Sequence, residues 1–128
     1  YWVMDDFGII INPILADGQV MGGIAQGIGQ AITENIVYDD DSGQLVTGSL
    51  MDYGLPRAAD VPSFNVALNE VLSPTNPLGI KAGGEGGTTV SPVAYTNAVL
   101  DALKDFGVSD IPMPLTPHRI WRAIRGTA

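Results

Sequence analysis

Cysteine is absent from this chain of 128 residues, cations are scarce, and no long apolar run occurs. Without cysteine there can be no disulfide framework, zinc ribbon, thiolate nucleophile or cysteine-ligated iron–sulfur cluster on these residues. Six Lys or Arg stand against fourteen Asp or Glu, for a formal net charge of −8. No basic stripe is therefore available to displace counterions from phosphates, which argues against nucleic acid and against an anionic membrane surface. No apolar run reaches the roughly eighteen residues that a spanning helix needs. The most apolar stretch, Val20 to Ile32, is interrupted by Gln26 and Gln30. The opening residues Tyr1, Trp2, Val3, Met4, Asp5 and Asp6 carry no basic region of a secretory signal, so the expected compartment is the cytoplasm. A chain that opens on Tyr, in what reads as a strand, is expected to be one segment, 1–128, of a longer polypeptide.

Glycine and proline are plentiful instead, sixteen and nine residues. Charged residues make up only 16% and hydrophobic ones 45%, leaving little to cover a solvated exterior. The composition suits a piece that docks on something larger; a compact monomer with an ordinary apolar surface is the alternative.

Tyr1–Met4 and Gly8–Ile11 read as short strands, broken at Asn12-Pro13. Asp17 is a candidate cap for a helix from about 18 to 34, on which Val20, Ile24, Ile28 and Ala31 recur at helical spacing. Its glycines cost roughly 1 kcal/mol each relative to Ala, and close approach of another backbone or a ligand is the usual compensation. Gly23 and Gly27 fit a packing contact of that kind. Ile36–Tyr38 and Leu45–Thr47 read as a hairpin around Asp39-Asp40-Asp41-Ser42-Gly43. The triple aspartate lacks the register of a calcium loop and reads as a solvated turn. Phe64 to about Leu72 alternates as a half-buried strand, and Ser73–Thr89 is too rich in Gly and Pro for a regular element. Ser91-Pro92 and Thr116-Pro117 each supply a cap and a first-turn proline for helices closed by Gly107 and Gly126. The fold class expected is α+β, a two-layer arrangement of a mixed sheet with helices.

The Gly-rich loop carries most of the chemistry. Glycines let backbone N–H groups approach a ligand, but no Gly-Lys-Ser/Thr follows, which excludes a P-loop. Glu85, flanked by Gly83, Gly84, Gly86 and Gly87, has no bulk beside it to shield it from an adjacent site. In an apolar pocket such a carboxylate serves as a general base; the alternative is a surface glutamate paired with Lys81. Gln19, beside the expected cap, suits recognition of a heterocycle edge, whereas Gln26 and Gln30 share what reads as a solvated face. Gly27-Ile28-Gly29 starts a dinucleotide-like fingerprint that fails at Ile32. His118, the sole histidine, reads as a surface or capping residue, and the four methionines as core.

Four blocks together resemble molybdenum hydroxylases of the xanthine oxidase family. Asp17-Gly18-Gln19-Val20-Met21-Gly22-Gly23-Ile24-Ala25-Gln26-Gly27-Ile28-Gly29-Gln30-Ala31 is similar to the family's glutamine-bearing cofactor segment. Gly48-Ser49-Leu50-Met51-Asp52-Tyr53-Gly54-Leu55-Pro56-Arg57-Ala58 resembles the next block, and Asn76-Pro77-Leu78-Gly79-Ile80-Lys81-Ala82-Gly83-Gly84-Glu85 the one that ends in the catalytic glutamate. Pro114-Leu115-Thr116-Pro117-His118-Arg119-Ile120-Trp121-Arg122-Ala123-Ile124 resembles the C-terminal end of the large subunit of the carbon monoxide dehydrogenase and aldehyde oxidoreductase type. The blocks fall in family order along essentially the whole chain.

The resemblance implies the second half of a molybdenum-cofactor-binding domain. It implies molybdopterin, or its cytosine dinucleotide form, carrying molybdenum, with no metal ligand supplied by this chain. It also implies hydroxylation of an aldehyde, an N-heterocycle or a similar small molecule with water-derived oxygen. By position, Glu85 is then the base, Gln19 hydrogen-bonds the pterin, and the backbone of Ala82, Gly83 and Gly84 lies beside the metal. Iron–sulfur clusters and FAD belong to partner domains or subunits, and the rest of the large subunit completes the site, so the isolated chain is expected to be inactive. At Gly83 the chain departs from the family, which usually carries a bulkier residue there, often Val, and a looser loop is expected. A scaffold module that keeps the fold without the site, and a pterin carrier, are the alternatives.

Overall fold

A computed structural model describes residues 1–126. Its centre is the crossing of two helices, α1 (Pro13–Ile28) and α2 (Gly86–Leu103). Helix α1 starts five residues before the expected Gly18, because Asn12-Pro13 opens the helix instead of only ending a strand. The Asn12 side chain accepts from the Leu15 amide at 3.2 Å, and Pro13 takes the first helical position, where a missing N–H is harmless. Asp17 is thus inside the helix and not its cap. After Ile28 the chain widens into a π-helical turn, Gly29–Thr33, which ends where the Glu34 amide bonds the Gly29 carbonyl.

Helix α2 likewise begins earlier than Ser91-Pro92. Both residues lie buried in its interior. The first turn is closed from Glu85, whose carbonyl accepts from the Thr89 amide at 3.0 Å and from Thr89 Oγ1 at 2.9 Å. Pro92 removes the bond its amide would make to the turn before it; its ring packs at the crossing, where a Cβ on Gly27 would meet Pro92 Cδ and overlap Ser91 Oγ. A Cβ on Gly87 would overlap the Val20 carbonyl, and one on Gly23 would lie 2.9 Å from the Thr88 amide nitrogen. The glycine spacing on α1 is therefore a packing device, as expected. Helix α2 runs into a 3₁₀ turn at Lys104–Phe106 and stops at Gly107 (φ 74°).

The sheet is smaller than expected. Strands β1 (Trp2–Asp5) and β2 (Asn65–Leu68) pair in parallel, Trp2 opposite Asn65 through Asp5 opposite Leu68. Among the described residues these two strands are the whole sheet, so no mixed sheet is seen. Gly8–Ile11 makes only an isolated antiparallel bridge, Gly8 to Ile80, because Gly8 turns the chain at φ 64° and the Ile10 amide goes to Glu70 Oε1 at 3.0 Å. The hairpin shrinks to one bridge, Tyr38 to Leu45, around an exposed turn in which Asp39 Oδ1 accepts from the Ser42 amide and hydroxyl.

One core gathers Val20, Ile24 and Ile28 of α1 under Val3, Val66, Phe7 and Tyr95. A second joins Leu103, Ile111 and Leu115 to Val99, Leu100 and Ile120, and seats α3 (Pro117–Arg125) on the end of α2. Helix α3 has the expected bounds: Thr116 Oγ1 accepts from the Arg119 amide and Gly126 closes it at φ 64°. The methionines are not core. Met4, Met21, Met51 and Met113 are all exposed, Met51 at 92%. His118 is exposed and stacks on Trp121 with ring centroids 6.1 Å apart.

Two glycines of α1 should separate packing from propensity. Gly27→Ala, which drives a methyl into Ser91, is expected to destabilise the chain by about 1–3 kcal/mol. Gly22→Ala, whose Cβ would find nothing within 4 Å, should be neutral or stabilise by about 0.5–1 kcal/mol. Urea midpoints of the two variants check this; equal midpoints would contradict the tight crossing.

Candidate functional site

The loop from Gly79 to Glu85 leads into the N-terminus of α2 and is held at several points. At its start, Gly79 (φ 68°) accepts from the amides of Ile9 and Ser73. Next, the Lys81 amide donates to the Phe7 carbonyl at 2.8 Å, while Lys81 Nζ pairs with Asp6 Oδ2. Asp6 is a hub, because its other oxygen accepts from the amides of Gly8 (2.9 Å) and Val71 (3.1 Å). One carboxylate thus ties together the exit of β1, the segment after β2 and the glycine loop. Lys81 is committed to Asp6, so the surface pairing of Lys81 with Glu85 is not formed.

Further along, Gln19 Nε2 donates to the Gly84 carbonyl at 2.6 Å. Because α1 begins at Pro13, Gln19 is not beside a helix cap; it projects from the second turn of α1 and reaches the loop from the side. Two segments 65 positions apart are therefore joined one residue before Glu85. Glu85 occupies the cap position of α2 (φ −114°, ψ 7°), and its side chain caps no amide. It is exposed, so the apolar surroundings expected of a base do not come from the described residues. Ala82 and Gly84 are exposed as well, and the amides from Ala82 to Glu85 donate to no group among the described residues. Gln26 and Gln30 are exposed, in keeping with a solvated face.

Gly83 is not loose. A Cβ built there would lie 2.6 Å from Phe7 Cδ1 and 2.7 Å from Cε1, so the ring fills the room a side chain would take. Beside this contact opens a cleft of ≈ 310 Å³ with Phe7, Ile9, Leu15, Gln19, Lys81 and Gly83 in its walls. Sequence reasoning also missed Asp5, whose Oδ2 is buried without a partner and whose Oδ1 faces Gly86. An acidic pair directly after an apolar strand end was the available signal. Among the described residues no three His, Asp or Glu side chains converge as a metal-ligand set. Free amides, a carboxamide and an uncommitted carboxylate suit the polar edge of an organic group that carries its own metal.

A family model described as a molybdopterin cofactor-binding domain matches residues 1–62. The chain is 40% identical over 123 residues to the nicotine 6-hydroxylase large subunit of Paenarthrobacter nicotinovorans, covering 96% of this chain and 15% of that protein. It is 34% identical over 125 residues to the carbon monoxide dehydrogenase large chain of Hydrogenophaga pseudoflava, covering 98% and 15%. The fold superimposes on quinoline 2-oxidoreductase from Pseudomonas putida 86 with a TM-score of 0.91 and 45% identity, over 97% of this chain and 16% of that one. The chain is similar, along nearly its whole length, to one segment of the molybdopterin-binding subunits of the xanthine oxidase family. It spans 15% of the length of these curated relatives. No helix among the described residues is long and apolar enough to cross a membrane.

The pKa values of the adjacent acids at the end of β1 shift in opposite directions. The hydrogen bond from Lys81, then that from the Gly8 amide, holds Asp6 below the usual carboxylate range, whereas burial pushes Asp5 up. Asp6 therefore adds stability that is present above its unfolded pKa of about 4 and is lost as pH falls through its lower folded value. Asp5 adds stability that is full below about pH 4 and is lost as pH rises through its raised value. Asp6→Asn should lower the urea midpoint at pH 7 and Asp5→Asn should raise it, with both differences shrinking toward pH 3. Shifts of the same sign at pH 7 would refute the assignment.

Proposed function

We propose that this chain supplies the base-bearing side of the active site of a molybdenum hydroxylase. The observation that carries the reading is the Gln19 Nε2 bond to the Gly84 carbonyl, which joins a carboxamide in the wall of the cleft to the residue next to an uncommitted carboxylate. Gln19 and the amides of Ala82, Gly83 and Gly84 would hold molybdopterin, or its cytosine dinucleotide form. When bound, that group supplies the molybdenum centre at which a small molecule is hydroxylated with oxygen from water. Glu85 accepts the proton released in that reaction at a carboxylate oxygen. A positioned base of this kind contributes typically about 10²- to 10⁴-fold.

The rest of the large subunit covers Glu85, completes the sheet along the free edges of β1 and β2 into a two-layer mixed sheet, and closes the substrate pocket. The isolated segment is then inactive. Iron–sulfur and flavin subunits receive the electrons, in the cytoplasm. Among aldehydes, N-heterocycles and similar small molecules, N-heterocycles come first, since two of the similar proteins are named for nicotine and quinoline.

In the enzyme assembled from the full large subunit and its partners, Glu85→Gln should lower kcat by about 10²- to 10⁴-fold while molybdenum and pterin contents stay at wild-type levels. Gln19→Ala should lower the pterin content itself. Retained turnover in Glu85→Gln would remove the assignment; a wild-type preparation without stoichiometric molybdenum would point to a scaffold, and one with pterin but no turnover to a carrier.

A further inference from the structure

We infer that Phe7 is the positioning residue for Glu85, acting through a size-complementary contact with Gly83. Among the described residues the Glu85 side chain has no hydrogen bond or ion pair to orient it; its direction follows from the backbone on either side. Phe7 places its ring beside the Cβ positions of glycines on both sides of Glu85. Its ring fills the space above Gly83, and its Cε1 would lie 3.4 Å from a Cβ on Gly86. Its carbonyl takes the Lys81 amide at 2.8 Å, so the same residue sets the height at which the loop leaves Ile80.

Phe7 can do this because it is itself anchored. Its ring packs on the Val20, Ile24 and Ile28 cluster of α1, and the neighbouring Asp6 is fixed by the amides of Gly8 and Val71 and by Lys81. The helix core thereby fixes the ring, and the ring fixes the loop. Gln19 bonds the Gly84 carbonyl, so the two residues before Glu85 are held by an aromatic ring at Gly83 and a carboxamide at Gly84. Position 83 must be small because position 7 is large, which is a relation between two residues and not a looseness of either.

This inference rests on Glu85 being the base, and the test separates the two. Phe7→Val, Gly83→Val and the double variant are made in the full large subunit assembled with its partners. Amide hydrogen exchange over 82–86 is measured together with kcat, KM and cofactor content. Each single variant should speed exchange in the loop and lower kcat by about 10- to 100-fold, with KM and molybdenum content within twofold of wild type. The double variant should recover most of both losses, because the valine at 83 occupies the room the ring vacates. Additive losses in the double variant, or unchanged exchange in Phe7→Val, would overturn the inference. Should Gly83→Val fail to assemble, Phe7→Leu with Gly83→Ala makes the same comparison with smaller changes, and additive losses or unchanged exchange overturn the inference there too. Coupled exchange in an enzyme whose Glu85→Gln form still turns over would leave the contact standing and remove only the role of Glu85.

Discussion

The rest of this structure depends on how closely α1 and α2 approach. At the crossing, Gly23 and Gly27 of α1 face Gly87, Thr88 and Ser91 of α2, with so little clearance that a methyl group at Gly27 or Gly87 would overlap its neighbour. Thr88 Oγ1 adds a bond to the Gly23 carbonyl at 3.1 Å. Glycine in a helix interior costs about 1 kcal/mol relative to Ala, and at Gly23 and Gly27 the backbone-to-backbone packing offsets that loss. That contact has a chemical consequence. It sets where the N-terminus of α2 lies against the second turn of α1, which is why a side chain as short as Gln19 can reach the Gly84 carbonyl.

The loop before α2 is built on the same base. Its glycines leave the backbone open to a ligand, and such a segment would sample many conformations on its own. Three constraints restrict it, each from a different kind of interaction: the Lys81–Asp6 ion pair, the Gln19–Gly84 hydrogen bond and the Phe7 ring against Gly83. Among the described residues the Glu85 side chain has no hydrogen bond or ion pair. An acid that stays uncommitted on a constrained backbone suits acceptance of a proton from an incoming group, since a base already engaged in an ion pair must first be released.

Legibility in the sequence followed the range of the interactions. Local chemistry read well: Thr116-Pro117 and Gly126 bound α3 as expected, Gly107 ended the run of α2, and the triple aspartate formed a solvated turn. The pairs Asn12-Pro13 and Ser91-Pro92 misled, because a proline after a capping residue signals a helix start in the first case and lies buried inside a helix in the second. Tertiary packing against Gly27 decided the second, and no local pattern reports it. The methionines were misplaced for a related reason: apolar character alone does not separate a core position from one left for a partner surface. In the site, the residue types and their order point to Gln19 and Glu85, yet the ion pair, the Phe7 contact and the enclosed Oδ2 of the partly buried Asp5 depend on positions far apart in the chain and are invisible until the fold brings them together.

The exposed apolar surface belongs to the same logic. Trp2 is 83% exposed and Met4 71%, on the outer face of a sheet of only two strands, and Ile11 and Ile14 stand open beside the cleft at 78% and 83%. Isolated two-stranded pairings are weak on their own, and scattered apolar residues need no explanation, but here the exposed residues border both the free sheet face and the mouth of the site. A chain that spans 15% of its relatives' length can be well packed at its glycine crossing and still lack a shell around its acid. The crossing and the three loop constraints supply position, which a small segment can hold by itself. Exclusion of water from Glu85 takes bulk, and the glycines that give the loop its shape are the residues least able to provide it.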